Sequence, residues 1–491
     1  MRRMNPTDAL FFILIMLATA ACTKATDCDA LDPFPATPDD IGLSFSVGGT
    51  DVEYDRYRYS DIPYVADPVY PEYQSMNVKV PTSINDEPID TTNAPILFVF
   101  SAPGYQAAAP PNYLTSTGFP ADPTAATKNS MRALAAGYVV VEVGCRGRDN
   151  LESGTFYGKA PAAIVDLKAA VRYLRCKDEE MPGNAEWIIS TGFSGAGALS
   201  ALLGASGNSH LYDAYLEEIG AADEDDSIYA SAAFCPITDL EHADMAYEWE
   251  FKNTLYDSGL VDQCLSMQLK DAFAEYQDSL NLQDENCFGK ITADNYGQFL
   301  VKTYLIPSAN RYLNALTDPT SYLAAHTWIH WDDSTHSATF AFEDYAKHLQ
   351  RLEDVPAFDA FALTSRANSL FGNETTDARH FTEFSLIQTC GCPNVEVDDD
   401  LKTVVNLMNP MYFISKGNCS GCAEHWWIRH GTNDTNTALP VIINLATILR
   451  NKGKDVNVWL YWDKKHMAND DPDDFIEWIG EITGYTIPPP P

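Results

Sequence analysis

The feature that most constrains the fold of this chain is a run of small residues around Ser194. The apolar stretch 187–191 (WIIST) precedes it, and the small apolar stretch 196–203 (AGALSALL) follows. The first stretch has the composition of a buried strand and the second that of a buried helix. Gly192 and Ala196 stand two residues before and after the serine, where a tight strand-to-helix turn tolerates only small side chains. The sequence therefore predicts a serine held on a sharp turn between a strand and a helix.

Strand-like and helix-like stretches alternate through most of the remaining chain, and they define the fold class. Further strands are predicted at residues 96–101, 138–143, 426–429 and 456–461, and helices at residues 161–176 and about 437–452. Such alternation is typical of an α/β protein, a mostly parallel sheet with helices on both faces. In that setting the turn at Ser194 is the nucleophile elbow of the α/β-hydrolase fold. The alternative is a small-residue loop that only packs a helix onto a strand.

One long stretch breaks this alternation. Residues 244–393 are rich in aromatic residues, Asp and Asn, and we interpret them as a large inserted lid domain. The α/β-hydrolase core would then consist of residues 41–243 and 394–487. Lids of this kind often carry much of the substrate pocket. Residues 22–40, rich in Asp, Pro and Thr, are interpreted as a tether.

The first residues have the features of an export signal. Two arginines are followed by a short apolar stretch and by small residues that end before Cys22, so residues 1–21 are interpreted as a signal peptide. The apolar stretch is too short for a permanent membrane span. Either a peptidase cleaves after Ala20, or Cys22 is lipidated as in bacterial lipoproteins. Both routes predict an extracytoplasmic protein that is secreted, periplasmic or lipid-anchored at the cell surface.

The cysteines fit an oxidising compartment. The chain has 11 Cys, and setting Cys22 aside leaves an even number, which suits disulfides. Four cysteines in two close pairs also have the spacing of zinc ligands, but export favours disulfides for them: Cys390, Cys392, Cys419 and Cys422. A third candidate pair is Cys264 and Cys287. Three cysteines in apolar contexts are interpreted as buried free thiols: Cys145, Cys176 and Cys235.

The charge of the chain narrows the range of partners. Its formal net charge is -37, from 69 Asp and Glu against 32 Lys and Arg. Such a surface repels nucleic acid and anionic membranes. We therefore expect no nucleic-acid partner, and contact with a membrane only through a lipid anchor at Cys22.

A serine nucleophile needs a histidine that takes its proton and an acid that orients the histidine. In the α/β-hydrolase fold these residues follow the chain order Ser, acid, His. Of the 10 His, only His466 follows the last predicted strand. Asp434 follows the preceding strand, where its other interpretation is a cap on the next helix. Asp463 and Asp470 are weaker candidates because they lie close to His466 in sequence.

Two backbone amides are expected to stabilise the oxyanion of such a reaction. One belongs to Gly195, at the start of the helix that follows the elbow. The other should come from the loop after the strand at residues 96–101. Pro103 in that loop has no amide hydrogen, so Gly104 or Tyr105 must supply the second donor.

Several blocks of the sequence resemble the bacterial tannases, which are tannin acyl hydrolases. The blocks are residues 137–141, 144–148 (GCRGR), 157–173, the elbow, 203–208, 235–249 (CPITDLEHADMAYEW), 356–359 and 428–431 (IRHG). The resemblance covers most of the chain from about residue 94 to 484 and is looser in the lid. It implies an α/β-hydrolase with a lid, and Ser194, Asp434 and His466 fall on the triad positions of the family.

The resemblance is weakest where the substrate is chosen. The family binds galloyl hydroxyls with a Lys and a Glu from the lid and with an Asp two residues after the catalytic Asp. These positions fall on Glu353, Ala367 and Asn436. Buried groups left unpaired cost about 1–3 kcal/mol each, so we expect the preference for gallate to fall by at least about 10- to 100-fold. Phe193, where the family usually has a small hydroxyl residue, either lines the acyl pocket or packs in the core, and packing is favoured.

The sequence thus predicts an exported serine esterase for a small or polymer-borne phenolic or other aryl ester, a feruloyl-type ester among them. Two alternatives stay open, a peptidase of the same fold and a surface-attached binding lipoprotein. A cluster of polar residues could suggest a metal site, but the resemblance implies a hydrogen-bonded cluster instead: Asp239, Glu241, His242 and Asp244. We expect neither a metal nor a cofactor.

Overall fold

The structure is a computed structural model that describes residues 26–46, 53–111, 125–256, 259–284, 288–416, 419 and 421–487. The predicted signal peptide, Cys22 and Cys287 lie outside the described residues. The strands are β1 (Asp40–Ser46), β2 (Glu53–Pro63), β3 (Ser75–Ile84), β4 (Glu87–Pro88), β5 (Ile96–Phe100), β6 (Val139–Val143), β7 (Leu151–Glu152), β8 (Thr155–Phe156), β9 (Ile188–Phe193), β10 (Ala230–Phe234), β11 (Gln283–Asp284), β12 (Gly289–Lys290), β13 (His330–Asp332), β14 (Ser337–Thr339), β15 (His425–Gly431) and β16 (Asp455–Tyr461). The α-helices are α1 (Ala125–Ala135), α2 (Ala162–Cys176), α3 (Gly195–Ala205), α4 (Asp213–Glu218), α5 (Leu240–Phe251), α6 (Gln263–Ser279), α7 (Tyr296–Leu300), α8 (Ile306–Ala315), α9 (Thr320–Ala325), α10 (Phe342–His348), α11 (Arg366–Leu370), α12 (Glu383–Cys390), α13 (Asp399–Leu407), α14 (Pro410–Lys416), α15 (Leu439–Asn451) and α16 (Pro472–Thr483).

The central sheet has the strand order β1-β2-β3-β6-β5-β9-β10-β15-β16, and β4 pairs with the end of β3. Strands β6, β5, β9, β10, β15 and β16 are parallel to their neighbours in that series. Strands β1, β2 and β3 extend the sheet as antiparallel strands at one end. The predicted α/β-hydrolase fold, a mostly parallel sheet with helices on both faces, is confirmed.

Helices cover the two faces of the sheet because successive side chains of each strand point to opposite sides. Leu97 and Val99 of β5 pack with residues of α1 and α16 on one face. Ile96, Phe98 and Phe100 of the same strand pack with α2, α3 and α15 on the other face. Helix α3 is buried along its whole length, which explains why it consists of small and apolar residues.

The antiparallel strands β2 and β3 lie where the sequence analysis places no strand. Their pattern is obscured by charged residues that are buried, Arg56 on β2 and Lys79 on β3. The ammonium of Lys79 lies 2.5 Å from the carboxylate of Glu142 on β6, and both side chains are fully buried. The buried pair of charged residues occupies positions that are apolar in most strands, so the sequence does not show the alternating pattern of a strand.

The described part of the segment interpreted as a tether, residues 26–40, packs against the body of the protein. Leu31 and Phe34 are buried, and Cys28 forms a disulfide with Cys176 at the end of α2. The segment is therefore held on the body by the burial of its few apolar residues and by this disulfide. Cys176, interpreted from sequence as a buried free thiol, is the partner that fixes it.

The remaining cysteines behave in two ways. Cys419 and Cys422 form a disulfide, as the sequence analysis favoured. Cys390 and Cys392 are exposed free thiols, so the structure does not give them the disulfide that export suggested. Cys145 and Cys235 are buried and free, as expected.

Between β10 and β15 the chain forms helices α5 to α14, and the region interpreted as a lid, residues 244–393, extends from within α5 to just after α12. Its segment at residues 351–359 is attached to α5. Arg351 lies 2.5 Å from Glu248, and both side chains are fully buried. Asp244 accepts hydrogen bonds from the amides of Phe358 at 2.6 Å and Asp359 at 3.0 Å. No helix in the described part of the chain is long and apolar enough to cross a membrane.

Candidate active site

Ser194 stands between β9 and α3 on a strained turn. Its φ of 60° and ψ of -120° are unusual for a residue with a side chain, and its amide donates to the carbonyl of Phe234 at 3.0 Å. The turn is possible because its neighbours are small. A Cβ on Gly192 would lie 2.4 Å from the carbonyl oxygen of Ala196, and a Cβ on Gly197 would lie 2.4 Å from that of Phe234. The missing side chain of Gly192 is what makes room for Ala196.

The sheet brings the predicted histidine and acid to this serine. Nε2 of His466 lies 2.8 Å from Oγ of Ser194, and Nδ1 of His466 lies 2.7 Å from Oδ2 of Asp434. The three residues follow β9, β16 and β15, whose carboxyl ends meet at one edge of the sheet. The weaker acid candidates point elsewhere, because Asp463 accepts from Asn433 and Asp470 pairs with Lys464.

The surroundings of the triad set its protonation. Burial alone would lower the pKa of His466, but the hydrogen bond with Asp434 and the nearness of Cys235 outweigh burial and raise that pKa above its ordinary 6.5. Burial raises the pKa of Asp434, yet the nearby His430, His466 and the Asn436 amide lower it overall. The pair is therefore suited to hold a proton on the imidazole while the carboxylate stays charged.

Two residues beside the triad were not given a role by the sequence analysis. His430 is buried on β15 with Nδ1 3.5 Å from Asp434, and burial lowers its pKa although Asp434 opposes this. Cys235 follows β10 just as Ser194 follows β9. Its thiol joins Asp434 and His466 in a group whose possible metal-ligand atoms lie within 4.8 Å of one another. Both ring nitrogens of His466 are already hydrogen-bonded, which leaves neither free for a metal.

The loop after β5 approaches the elbow closely. A Cβ on Gly195 would lie 2.8 Å from the amide nitrogen of Tyr105 and 3.2 Å from that of Gly104. The Tyr105 amide already donates to the carbonyl of Ala102 at 3.0 Å. The Tyr105 hydroxyl donates to the carbonyl of Ile237 at 2.7 Å, which holds the loop in place. Because the Tyr105 amide is already hydrogen-bonded, the Gly104 amide is the predicted donor that remains available to a ligand.

A cleft of about 200 Å³ opens beside the elbow. Its lining includes Gly104, Tyr105 and Gly195 together with lid residues. All three positions that correspond to the galloyl contacts of the resembled family also line it: Glu353, Ala367 and Asn436. The three positions expected to determine substrate specificity therefore lie together in the lining of one cleft, next to Ser194.

Phe193 lies away from that cleft lining. Its ring stacks on Phe234 with centroids 4.4 Å apart, within the core that α1 and α16 cover. Of the two roles considered for Phe193, the structure therefore supports packing in the core.

The acidic cluster at the start of α5 consists of hydrogen-bonded residues. Asp239 contacts Nδ1 of His242 at 2.8 Å and accepts from the Tyr276 hydroxyl at 2.6 Å and from the Asn409 amide at 2.8 Å. Asp244, as described above, holds the lid segment. These carboxylates join lid to core.

A parallel sheet that carries Ser194, His466 and Asp434 at its carboxyl edge defines an α/β-hydrolase. A family model described as BD-FAE matches residues 118–275. No curated protein matches the sequence.

Solved structures of tannases match almost the whole chain. The tannase of Fusobacterium nucleatum is 33% identical, with a TM-score of 0.78, over 92% of this chain and 99% of that one. The tannin acyl hydrolase of Lactobacillus plantarum is 33% identical, with a TM-score of 0.76, over 93% of this chain and 98% of that one. A tannin acyl hydrolase in complex with 3,4-dihydroxybenzoate is 34% identical, with a TM-score of 0.77 and the same coverage. The chain belongs to the bacterial tannase family and is a carboxylic ester hydrolase.

Proposed function

We propose that the protein is a serine esterase that cleaves aromatic carboxylic esters and has lost the family's preference for gallate. The observation that carries this proposal is the unbroken series from Ser194 through His466 to Asp434, with contacts of 2.8 and 2.7 Å beside the cleft. That spacing is what a hydroxyl needs to lose its proton to an imidazole.

In the proposed reaction, Oγ of Ser194 attacks the ester carbonyl while Nε2 of His466 takes its proton. The tetrahedral intermediate then expels the alcohol, which receives that proton, and an acyl-enzyme remains. A water molecule, deprotonated by His466, then attacks the acyl-enzyme carbonyl; the bond to Oγ of Ser194 breaks, Oγ receives the proton from His466, and the acid is released. Asp434 holds the ring in the required tautomer throughout. The amides of Gly195 and Gly104 are the proposed oxyanion donors.

The proposed substrate is an aromatic ester other than a gallate, such as a hydroxycinnamate. A relative is known in complex with 3,4-dihydroxybenzoate, an aromatic acid, and the cleft here has room for a ring of that size. Its polar contacts differ, because Glu353, Ala367 and Asn436 stand where the resemblance implies Lys, Glu and Asp. A substrate hydroxyl that pairs with those three side chains in the family would lose them here.

Export is part of the proposal. The disulfides Cys28–Cys176 and Cys419–Cys422 support an oxidising compartment. Lipidation of Cys22 is the form of membrane attachment that the sequence allows.

The proposal is tested with methyl gallate, methyl ferulate, methyl benzoate and p-nitrophenyl butyrate, using the purified protein and Ser194→Ala. We expect an ester other than methyl gallate to have the highest kcat/KM, and Ser194→Ala to lose at least about 10³-fold. Labelling by a fluorophosphonate should disappear in Ser194→Ala and persist in Ser279→Ala, which removes an exposed hydroxyl on α6.

Other outcomes point to other functions. If methyl gallate is the best ester, the interpretation of Glu353, Ala367 and Asn436 is wrong. If no ester is hydrolysed and no label binds, a binding lipoprotein with this fold becomes the better assignment. Cleavage of peptides in place of esters would favour the peptidase alternative.

A further inference from the structure

Arg366 is built into the wall of the cleft beside the candidate oxyanion loop. It is the first residue of α11, and its side chain lies over Gly104, so closely that a Cβ on Gly104 would be 2.6 Å from Cδ of Arg366. Gly104 also has a φ of 56°, which disfavours a larger residue. The glycine therefore gives the arginine stem a place to rest, and the guanidinium is held at the cleft.

The charged groups of this wall have no hydrogen-bonded partner among the described residues. Arg366 and Glu353 are the two side chains of opposite charge type in the cleft lining. Both are exposed, and neither side chain forms a hydrogen bond or close ion pair in the part of the chain that is described. Partial burial raises the pKa of Glu353, and the more distant guanidinium of Arg366 lowers it. The guanidinium of Arg148 lies against the loop that carries Gly104, because its Nε donates to the Gly104 carbonyl at 2.7 Å, and the carboxylates of Asp149 and Asp377 act on it. Arg366 is thus the one cation among the described residues that line the cleft, in a chain whose net charge is -37.

A guanidinium whose stem lies on a loop and whose N–H groups have no hydrogen-bonded partner is suited to bind a planar anion. Its parallel N–H groups match the two oxygens of a carboxylate, and such bonds are stronger than those between neutral groups. Ala367, the next residue, is small and presents no competing acceptor. The guanidinium of Arg366 therefore offers a binding site for a carboxylate in this wall.

We propose that Arg366 determines specificity by binding a free carboxylate on the aromatic part of the ester that fills the cleft. The preferred substrate class is then an aromatic ester that also carries a carboxylate. This inference rests on the proposed function, since it concerns the same cleft. It assigns to Arg366 a contact with substrate and no part in bond breaking.

The test compares the hydrolysis of monomethyl isophthalate, which carries a free carboxylate, with that of methyl benzoate, which does not. We expect the wild-type protein to prefer the charged ester, and Arg366→Gln to reduce that preference in kcat/KM by about 10- to 100-fold. Arg366→Lys should keep part of it, because the charge stays but the paired N–H groups are lost. Arg132→Gln is the matched control. It removes one positive charge from α1, where Arg132 pairs with Asp473, and should leave the preference unchanged.

Binding of free isophthalate, measured by titration calorimetry, separates this inference from the proposed function. If no ester is cleaved but isophthalate binds and Arg366→Gln weakens it by about 10-fold or more, the function is wrong and the carboxylate site stands. If esters are cleaved but the ratio of the two substrates is the same in wild type and Arg366→Gln, the inference is overturned. Isophthalate binding that Arg366→Gln does not change also overturns it.

Discussion

His466 is the residue whose charge should control activity. It must be neutral to take the proton of Ser194, so activity is lost as pH falls through its pKa. Asp434 and Cys235 raise that pKa above 6.5, so the acidic limb of the kcat/KM profile should lie above pH 6.5. Asp434→Asn should move this limb to lower pH, because the negative charge is gone, and should reduce kcat by about 10⁴-fold through the wrong tautomer.

The matched control is Asp463→Asn. Asp463 also lies near His466 in sequence, but it accepts from Asn433 and lies 4.0 Å from Nε2 of His348. Its substitution should leave the position of the limb unchanged. A limb that moves equally in both variants would show that general surface charge, and not Asp434, sets the pKa of His466.

Single residues were predictable to the extent that chain order fixes them. Ser194, Asp434 and His466 follow from a small-residue motif and from the order of three strands. Cys235 and His430 could not be placed this way, since their closeness to the triad depends on which strands are neighbours. A residue that immediately follows a parallel strand, as Cys235 follows β10, is the one signal that could have found the thiol.

At the scale of elements, the elbow depends on glycine. Gly192→Ala would place a Cβ 2.4 Å from the carbonyl oxygen of Ala196 and 2.8 Å from its Cβ. The obstacle is backbone, which cannot rotate away, so we expect a loss of about 1–3 kcal/mol or more in the free energy of unfolding and a loss of activity. Urea unfolding followed by tryptophan fluorescence measures the change.

Gly259→Ala is the control for that experiment, because nothing lies within 4 Å of a Cβ there. It should change the free energy of unfolding by less than about 0.5 kcal/mol. Equal stability of the two variants would mean that the turn can relax.

The parallel strands and their helices were predictable because their burial makes them apolar. Strands β2 and β3 were not, since Arg56 and Lys79 are charged yet buried. The region interpreted as a lid was predicted only from an interruption of the alternation between strands and helices. Its attachment depends on pairs distant in sequence, such as Glu248 with Arg351, which no local pattern reveals.

For the whole molecule, the Cys28–Cys176 disulfide closes a loop of most of the first core segment. Removing a crosslink over so long a loop usually costs about 2–5 kcal/mol, since the unfolded chain gains freedom. We expect Cys28→Ala to lower the melting temperature of the oxidised protein. Reduction of this bond should lower the melting temperature of the wild type but cannot lower that of the variant, which lacks the bond. Cys264→Ala, which removes an exposed free thiol, should melt like the wild type.

The same disulfide limits how far the enzyme could stand from a membrane. Cys28 is covalently fixed to α2, and Cys22 precedes it by six residues. Six residues of fully extended chain span at most about 20 Å. A lipid on Cys22 would therefore keep the catalytic body within about 20 Å of the bilayer surface. The enzyme would then be restricted to esters that can reach the cell surface.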